Sequence, residues 1–395
     1  MPKALATEYP PNTVFRLVKP LYGLAESGLH WFATYQRHHK ERLDCQTSEY
    51  DPCLLFSKIG QSFGIVGMQT DDTLNLATPE FLDKEEAALH EAGFKAKPST
   101  ILKVGDVGYF NGCKITVNED SVMMQQKGQG DRLDLVKTGT DDTQHQYVVQ
   151  RARGAYIATI CQPEAAFDYS MAARAKDPSP EKIAKLNKRI QWQIDNAERG
   201  LRFIQLDLKK TALYVFVDGS FANNKDLSSQ IGFIIVFGNE RALDQENTFQ
   251  LRGNILHWGS TKCKRVTRSV LASEIYGMAG GFDAAYVLKT TITSILQRLD
   301  LPPCKMVVCT DSLSLYQCLV QLGTTTEKRL MIDIMALRES YEGREIDEIR
   351  WIAGADNPAD AMTKDQPNRA LEDLVSTNTT TLRVEGWVKR TQSKK

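Results

Sequence analysis

Four carboxylates stand where a fold could bring them together. Asp218 ends the run Leu213-Tyr-Val-Phe-Val, whose β-branched and aromatic residues suit a sheet interior. Gly219, next in the chain, lets the backbone turn or be approached closely. Glu274 lies in Ala272-Ser-Glu-Ile-Tyr, Asp311 ends Lys305-Met-Val-Val-Cys-Thr-Asp, and Asp360 lies in Asn357-Pro-Ala-Asp-Ala-Met-Thr-Lys. Acids gathered in a low dielectric repel one another unless divalent cations neutralise them, and a two-metal site draws oxygen ligands from several rigid elements. A second acidic pair, Asp71 and Asp72, falls between the apolar runs Gly64 to Gln69 and Leu74 to Ala77. That pattern predicts a hairpin with two acids at its tip, which by residue type alone also suits a plain polar turn.

The elements that must carry these residues follow a legible order. Leu213 to Val217, Gln230 to Phe237 and Ile255 to Ser260 are three leading strands, and turn-rich residues 219–224 and 238–247 separate them. An antiparallel meander therefore begins a mixed sheet. A long helix from about Thr267 carries Leu271, Ile275, Met278 and Phe282 on its apolar side, with Glu274 in its early turns. A strand from Lys305 leads to Asp311; then come a helix with Leu315, Leu319 and Leu322, and another through Leu330, Ile334 and Leu337. The last strand, Ile346 to Ile352, hands over to a helix that starts at Asn357-Pro358 and carries Asp360.

Upstream, Leu29 to Arg42 reads as a helix bearing Trp31, Phe32 and Tyr35, and Cys53 to Phe56 as a strand paired with the run from Gly64. A further helix begins after Pro178-Ser-Pro. Ile183, Leu186, Ile190 and Ile194 form its buried stripe, and Lys182, Lys185, Lys188 and Arg189 lie toward solvent. Lys137 to Gln146 is polar throughout, with no apolar period, and is the best linker candidate.

With 395 residues, two or three domains are expected. Lys and Arg total 49 against 49 Asp and Glu, so any nucleic acid must be held by a local basic face rather than a global field. Lys262, Lys264, Arg265 and Arg268, which lead into the Glu274 helix, are the nearest such cluster. The eight Cys form no C-x-x-C pair, and the start of the chain lacks the apolar region of a signal peptide, so reduced thiols in an intracellular protein, cytoplasmic or nuclear, are expected. No run approaches the roughly 20 apolar residues of a membrane span. His38 and His39 with Cys45 and Cys53 fit no familiar zinc spacing.

Lys19-Pro-Leu-Tyr-Gly-Leu-Ala-Glu-Ser-Gly-Leu-His-Trp-Phe, Asp51-Pro-Cys-Leu-Leu-Phe and Gln69-Thr-Asp-Asp-Thr together resemble the reverse transcriptase of copia-type retrotransposons, especially their fungal branch. The resemblance gives Asp71 and Asp72 the role of magnesium ligands. The family's remaining metal-binding aspartate lies upstream of the Tyr-Gly-Leu motif, where this chain has no Asp before Asp44, so DNA synthesis by this chain alone is not expected. Arg151 to Asp168 resembles the family's connecting segment. The later order of acids resembles ribonuclease H in its copia-type form, and the resemblance runs to about Lys364. Ala353-Gly-Ala-Asp-Asn lacks the His with which cellular ribonucleases H assist product release, which lowers expected turnover more than expected chemistry.

What the resemblance implies is an α/β and α+β protein: a ribonuclease H-like mixed sheet with flanking helices, preceded by a truncated reverse transcriptase region. The expected divisions are 1–136 for the polymerase remnant, 137–205 for a linker and connection, 206–370 for the ribonuclease H-like domain, and 371–395 for a weakly ordered tail. Asp218, Glu274, Asp311 and Asp360 would be catalytic ligands of Mg2+, with Mn2+ able to substitute, in two-metal hydrolysis of the RNA strand of an RNA–DNA hybrid. Partners would be the hybrid and other products of a retrotransposon polyprotein, with no membrane. A relic that binds hybrid without cleaving it is the alternative. A transposase or integrase of the same fold is disfavoured, because it would place a Glu at the Asp360 position and lack Glu274.

Overall fold

The computed structural model describes residues 8–10, 13, 14, 16, 21, 23–95, 97, 99–222, 226–321, 325 and 327–389. Lys19, Pro20 and Tyr22 of the first polymerase-like motif, Leu322 of an expected helical stripe and residues 390–395 of the expected tail lie outside them. The chain divides into two compact units, residues 1–97 and 98–395.

In the first unit, helix α1 (Ser27–Arg42) precedes strands β1 (Gln46–Thr47), β2 (Leu54–Phe56), β3 (Gly64–Gln69) and β4 (Asp72–Ala77), and helix α2 (Pro79–Glu91) follows them. The strands form one antiparallel sheet in sequence order. Tyr35, Leu43, Leu55, Val66 and Phe81 fill the core between sheet and helices. His39 is fully buried, and its Nε2 lies 2.8 Å from Glu85 Oε1 while Nδ1 faces the Tyr35 carbonyl at 3.1 Å. This His is thus an element of the core, held by an acid and a main-chain oxygen.

The second unit opens with β5 (Val107–Phe110), β6 (Cys113–Val117) and β7 (Ser121–Gln126), then helices α3 (Thr143–Ile160), α4 (Ala166–Ala172) and α5 (Pro180–Asp195), and β8 (Leu201–Ile204). Strand β8 returns to pair with β7, Met124 opposite Leu201, completing a four-stranded sheet. That pairing crosses the expected division at residue 136. Residues up to 136 are joined by hydrogen bonds to the segment that follows 137, and the expected linker shrinks to turns before α3. In α5, Pro180 at the first turn and the Ser179 hydroxyl, which accepts from Lys182 N, start the helix; Ile183, Leu186 and Ile190 are buried, whereas Ile194 is exposed.

Beyond it come β9 (Ala212–Ser220), β10 (Gln230–Ala242), β11 (Thr248–Lys262), α6 (Val270–Arg298), β12 (Lys305–Thr310), α7 (Leu313–Val320), α8 (Leu330–Glu342), β13 (Glu348–Ile352), α9 (Ala370–Thr377) and β14 (Thr379–Lys389). Strands β9, β10 and β11 form the expected antiparallel meander, and β12 runs parallel to both β9 and β13. Every residue of β9 is buried. Leu213, Val215 and Val217 face a core shared with Ile275 and Met278 of α6 and with residues of α7 and α8. Tyr214 and Phe216 point to the other side, among Ile234, Val236, Leu251 and Leu382. This two-residue alternation between two apolar surroundings is what an inner strand needs.

Two expectations for the end of the chain are corrected. Asp360 is carried by a single 3-10 turn, Pro358–Met362, rather than by a closing α-helix. Asn357 caps that turn by accepting from Ala359 N at 3.1 Å, and the Thr363 main-chain N–H closes it by donating to the Asp360 carbonyl at 3.1 Å. Residues 371–389 of the expected loose tail are ordered. Leu371, Leu374 and Val375 of α9 are buried, and β14 pairs with both β11 and β13, so that the sheet closes into a six-stranded ring, β10-β11-β14-β13-β12-β9. Its Thr379-Thr-Thr start is β-branched, which suits a strand as well as a polar tail.

Leu382 is fully buried inside this ring. Leu382→Ala is therefore expected to cost about 2–5 kcal/mol in chemical denaturation, and a chain ending at Thr377 to lose its cooperative transition. An unchanged midpoint for the shortened chain would contradict a structural role for β14.

Candidate metal centre

Parallel pairing sets the first two acids side by side. The β9 to β12 register runs from Ala212 opposite Lys305 to Val217 opposite Thr310, so Asp218 and Asp311 are the next residues on adjacent strands. Glu274 reaches them from the second turn of α6, whose start is capped by the Ser269 hydroxyl accepting from Ala272 N. Two glycines bring that helix in. A Cβ on Gly219 would lie 2.4 Å from the Ser273 carbonyl carbon, and one on Gly277 would lie 2.7 Å from the Asp218 carbonyl oxygen. Without side chains at these two positions, main chain packs on main chain, and the Ser273 hydroxyl donates to the Gly219 carbonyl at 3.2 Å.

One carboxylate oxygen each from Asp218, Glu274 and Asp311 lies within 4.8 Å of the other two. Burial raises all three above the ordinary carboxylate range. Asp218 is pushed to about 6 by desolvation and then by the Asp311 charge. Glu274 is raised by desolvation, then by Asp218 and Asp311, and Asp311 chiefly by desolvation. The Thr363 hydroxyl donates to Asp218 Oδ2, and Asn357 Nδ2 donates to Asp311 Oδ1 at 3.3 Å. Glu274 Oε2 is buried and, among the described residues, has no hydrogen-bond partner. An unpartnered buried carboxylate oxygen beside two further acids makes a set of hard oxygen donors, which fits a hard divalent cation such as Mg2+ or Mn2+ better than a softer ion.

Asp360 stands apart from this trio. It is buried, but Lys364 Nζ holds its Oδ1 and the Asn368 amide donates to Oδ2 at 2.8 Å. Its charge is still felt at Asp218 and Asp311, and Lys364 offsets the acids at all three members of the trio. Recruiting Asp360 as a ligand would mean turning an oxygen away from a partner it already has. Lys364, Asn357, Thr363 and Asn368 are absent from the expected site; the only trace of three of them is that they flank Asp360 within or near Asn357-Pro-Ala-Asp-Ala-Met-Thr-Lys.

In the first unit, Asp71 and Asp72 occupy the expected hairpin tip. Thr70, at φ 55°, makes the turn, and Gln69 pairs with Asp72. Both acids are exposed, and among the described residues no third potential ligand joins them. The basic cluster divides in two. Lys262 pairs with Asp226 at 2.6 Å, and Arg265 makes two 3.0 Å contacts to Asp333 while lying over the Tyr276 ring. Lys264 and Arg268 are exposed. On α5, Lys185 pairs with Asp365 at 3.0 Å and Arg189 with Asp168 at 2.5 Å. No helix among the described residues is long and apolar enough to cross a membrane.

The chain matches no protein-family model and no curated protein. Among solved structures it is similar to a ribonuclease H1 from Halobacterium salinarum, with 20% identity over 41% of this chain and 98% of that one and a TM-score of 0.27. It is also similar to the LC11 ribonuclease H1 solved with an RNA/DNA hybrid, at 15% identity over 40% of this chain and 99% of that one, TM-score 0.27. A third is a foamy viral protease-reverse transcriptase in complex with RNA/DNA hybrid, at 12% identity over 71% of this chain and 34% of that one, TM-score 0.41.

A carboxyl held above its unfolded value binds its proton more tightly in the folded state, so its contribution to stability is present at low pH and is lost as pH rises. For Asp218 the loss runs from 3.8 through about 6. Metal-free protein should accordingly melt lower at pH 7 than at pH 5 if these acids dominate, and millimolar Mg2+ should restore the midpoint at pH 7. Asp311→Asn should keep or raise the metal-free midpoint while abolishing the rise with Mg2+. Scanning calorimetry with and without chelator reads all three outcomes.

Proposed function

We propose that this chain is a ribonuclease H-type nuclease that cleaves the RNA strand of RNA–DNA hybrids with Mg2+, attached to a segment of copia-type reverse transcriptase. The observation that carries the proposal is the trio of buried Asp218, buried Glu274 and half-buried Asp311, with Glu274 Oε2 unpartnered among the described residues, at the ends of adjacent parallel strands and an early helical turn. Two bound Mg2+ ions would make a water nucleophilic near neutral pH and stabilise the leaving 3′-oxygen.

The chain's own residues do the rest. Asp218, Glu274 and Asp311 would be the ligands, and Thr363 and Asn357 hold two of them in orientation through hydrogen bonds. Asp360 completes the proposed set of acids once one of its oxygens leaves Lys364 or Asn368. The RNA strand would be told from DNA by its 2′-hydroxyls, displayed across an A-like minor groove. Asp71 and Asp72 are proposed to hold metal weakly, and DNA synthesis by this chain alone is not part of the proposal, because among the described residues no third acid stands with them.

A labelled RNA strand annealed to DNA should be cut by the full chain with Mg2+ and left intact with chelator, while Glu274→Gln lowers the rate at least a hundredfold, about 2.7 kcal/mol of barrier. Folded protein that binds hybrid and never cuts it would instead identify a catalytically decayed binding protein. Primer extension on an RNA template should give no product, and robust extension would overturn that part. Since Lys262 and Arg265 are engaged by Asp226 and Asp333, phosphate contacts are proposed for Lys264 and Arg268. Changing both to Ala should weaken hybrid binding regardless of base sequence and lower the salt slope by about one unit per lost contact. An unchanged slope would return the cluster to a solvated loop.

A further inference from the structure

We infer that Gln230 is a positioning residue for the metal centre, through which the α4 region that precedes the nuclease sheet holds the turn carrying Asp360. The inference rests on the metal-centre assignment above and adds to it a set of residues outside the acidic cluster.

Gln230, the first residue of β10, is fully buried, and its amide is used at both ends. Its Nε2 donates to Ser170 Oγ of α4 at 3.0 Å and to Ser260 Oγ of β11 at 2.8 Å, and its Oε1 accepts from Arg174 Nη2, just beyond α4. A guanidinium can only donate, so Arg174 fixes which end of the amide is oxygen. The amide nitrogen can then only donate, so the Ser260 hydroxyl must accept from it and turn its own proton elsewhere. That proton goes to the Met362 carbonyl, 2.6 Å away, in the last residue of the Pro358–Met362 turn. Thr363, the next residue, donates to Asp218. The main chain of β10 lies hard against the same residues: a Cβ on Gly232 would sit 2.3 Å from Met362 Cβ and 3.0 Å from Thr363 Cγ2.

A directed series of hydrogen bonds thus runs from Arg174 through Gln230 and Ser260 to the backbone of the turn, with each donor and acceptor role forced by the one before it. The turn has one helical repeat and no long helix behind it, so its placement relative to Asp218 depends on such contacts. Lys185 to Asp365 is a second link between the same regions, but both side chains are well exposed, so it contributes little. Outer partners of this kind typically change metal affinity 10- to 100-fold when removed.

Calorimetric titration of the full chain with Mn2+, in the absence of nucleic acid, tests the inference. Ser260→Ala and Gln230→Met should each weaken Mn2+ binding by about tenfold, and Ser260→Thr, which keeps a hydroxyl, should retain most of the affinity. Trp258→Phe is the control: it deletes the 3.1 Å bond from Trp258 Nε1 to the Ala158 carbonyl, a tie between β11 and the preceding helices that is no part of the Arg174–Gln230–Ser260 series, and keeps an aromatic ring in the shared apolar cluster. It should lower the melting temperature without changing Mn2+ affinity. If Ser260→Ala and Gln230→Met melt lower but bind Mn2+ like the parent, the series is only structural and the inference fails while the metal centre stands. If Asp311→Asn binds Mn2+ as tightly as the parent, the metal-centre assignment fails, and this inference with it.

Discussion

The desolvation of three neighbouring carboxylates, two of them buried in the chain, is the constraint on which the rest of this structure depends. Asp218, Glu274 and Asp311 are each raised by loss of solvation, and their oxygens lie within 4.8 Å of one another. Chains do not gather such groups for stability, because burying charge without compensation is costly. The surroundings reduce the penalty only in part. Thr363 and Asn357 each give one hydrogen bond, Lys364 gives a nearby positive charge, and among the described residues one Glu274 oxygen has no partner. Acids kept together with raised proton affinity in this way are a common physical signature of a functional site.

Assembling the trio needs rigidity behind it, and three separate devices supply that. Parallel pairing of β9 with β12 fixes Asp218 and Asp311 at neighbouring strand ends. Glycine at 219 and 277 lets α6 lie directly on the β9 backbone, which brings Glu274 within reach. The closed ring of strands then holds β9, whose every residue is buried, between two apolar cores. The sheet of β5 to β8 and the helices α3 to α5 belong to the same compact unit as the six-stranded ring, and α4 meets that ring through Gln230, a fully buried amide.

Much of this arrangement is legible in the sequence, because a sheet interior has a strong local signature. Leu213-Tyr-Val-Phe-Val and Met306-Val-Val-Cys are apolar on both faces, so an acid at the end of each run marks a strand end. The Glu274 helix shows itself through the spacing of Leu271, Ile275 and Met278. Less is legible where partners are distant in sequence. Nothing local in Thr379-Thr-Thr says that β14 will pair with both β11 and β13, and nothing in the polar run from Lys137 says that β7 will find β8 beyond three helices. Asp360 follows a proline, which starts a helix as readily as a single 3-10 turn. The basic residues before α6 look alike as a string, yet Asp226 and Asp333 engage Lys262 and Arg265, because ion pairing depends on which acids the fold brings near.

Anomalous scattering from crystals of the full chain grown with Mn2+ tests the central claim most directly. The account predicts a manganese peak within about 2.5 Å of oxygens from Asp218, Glu274 and Asp311, with the Glu274 oxygen that otherwise lacks a partner among the ligands. Well-diffracting crystals at saturating Mn2+ with no peak at the trio, or with Lys364 seated among all three carboxylates in place of a metal, would contradict it.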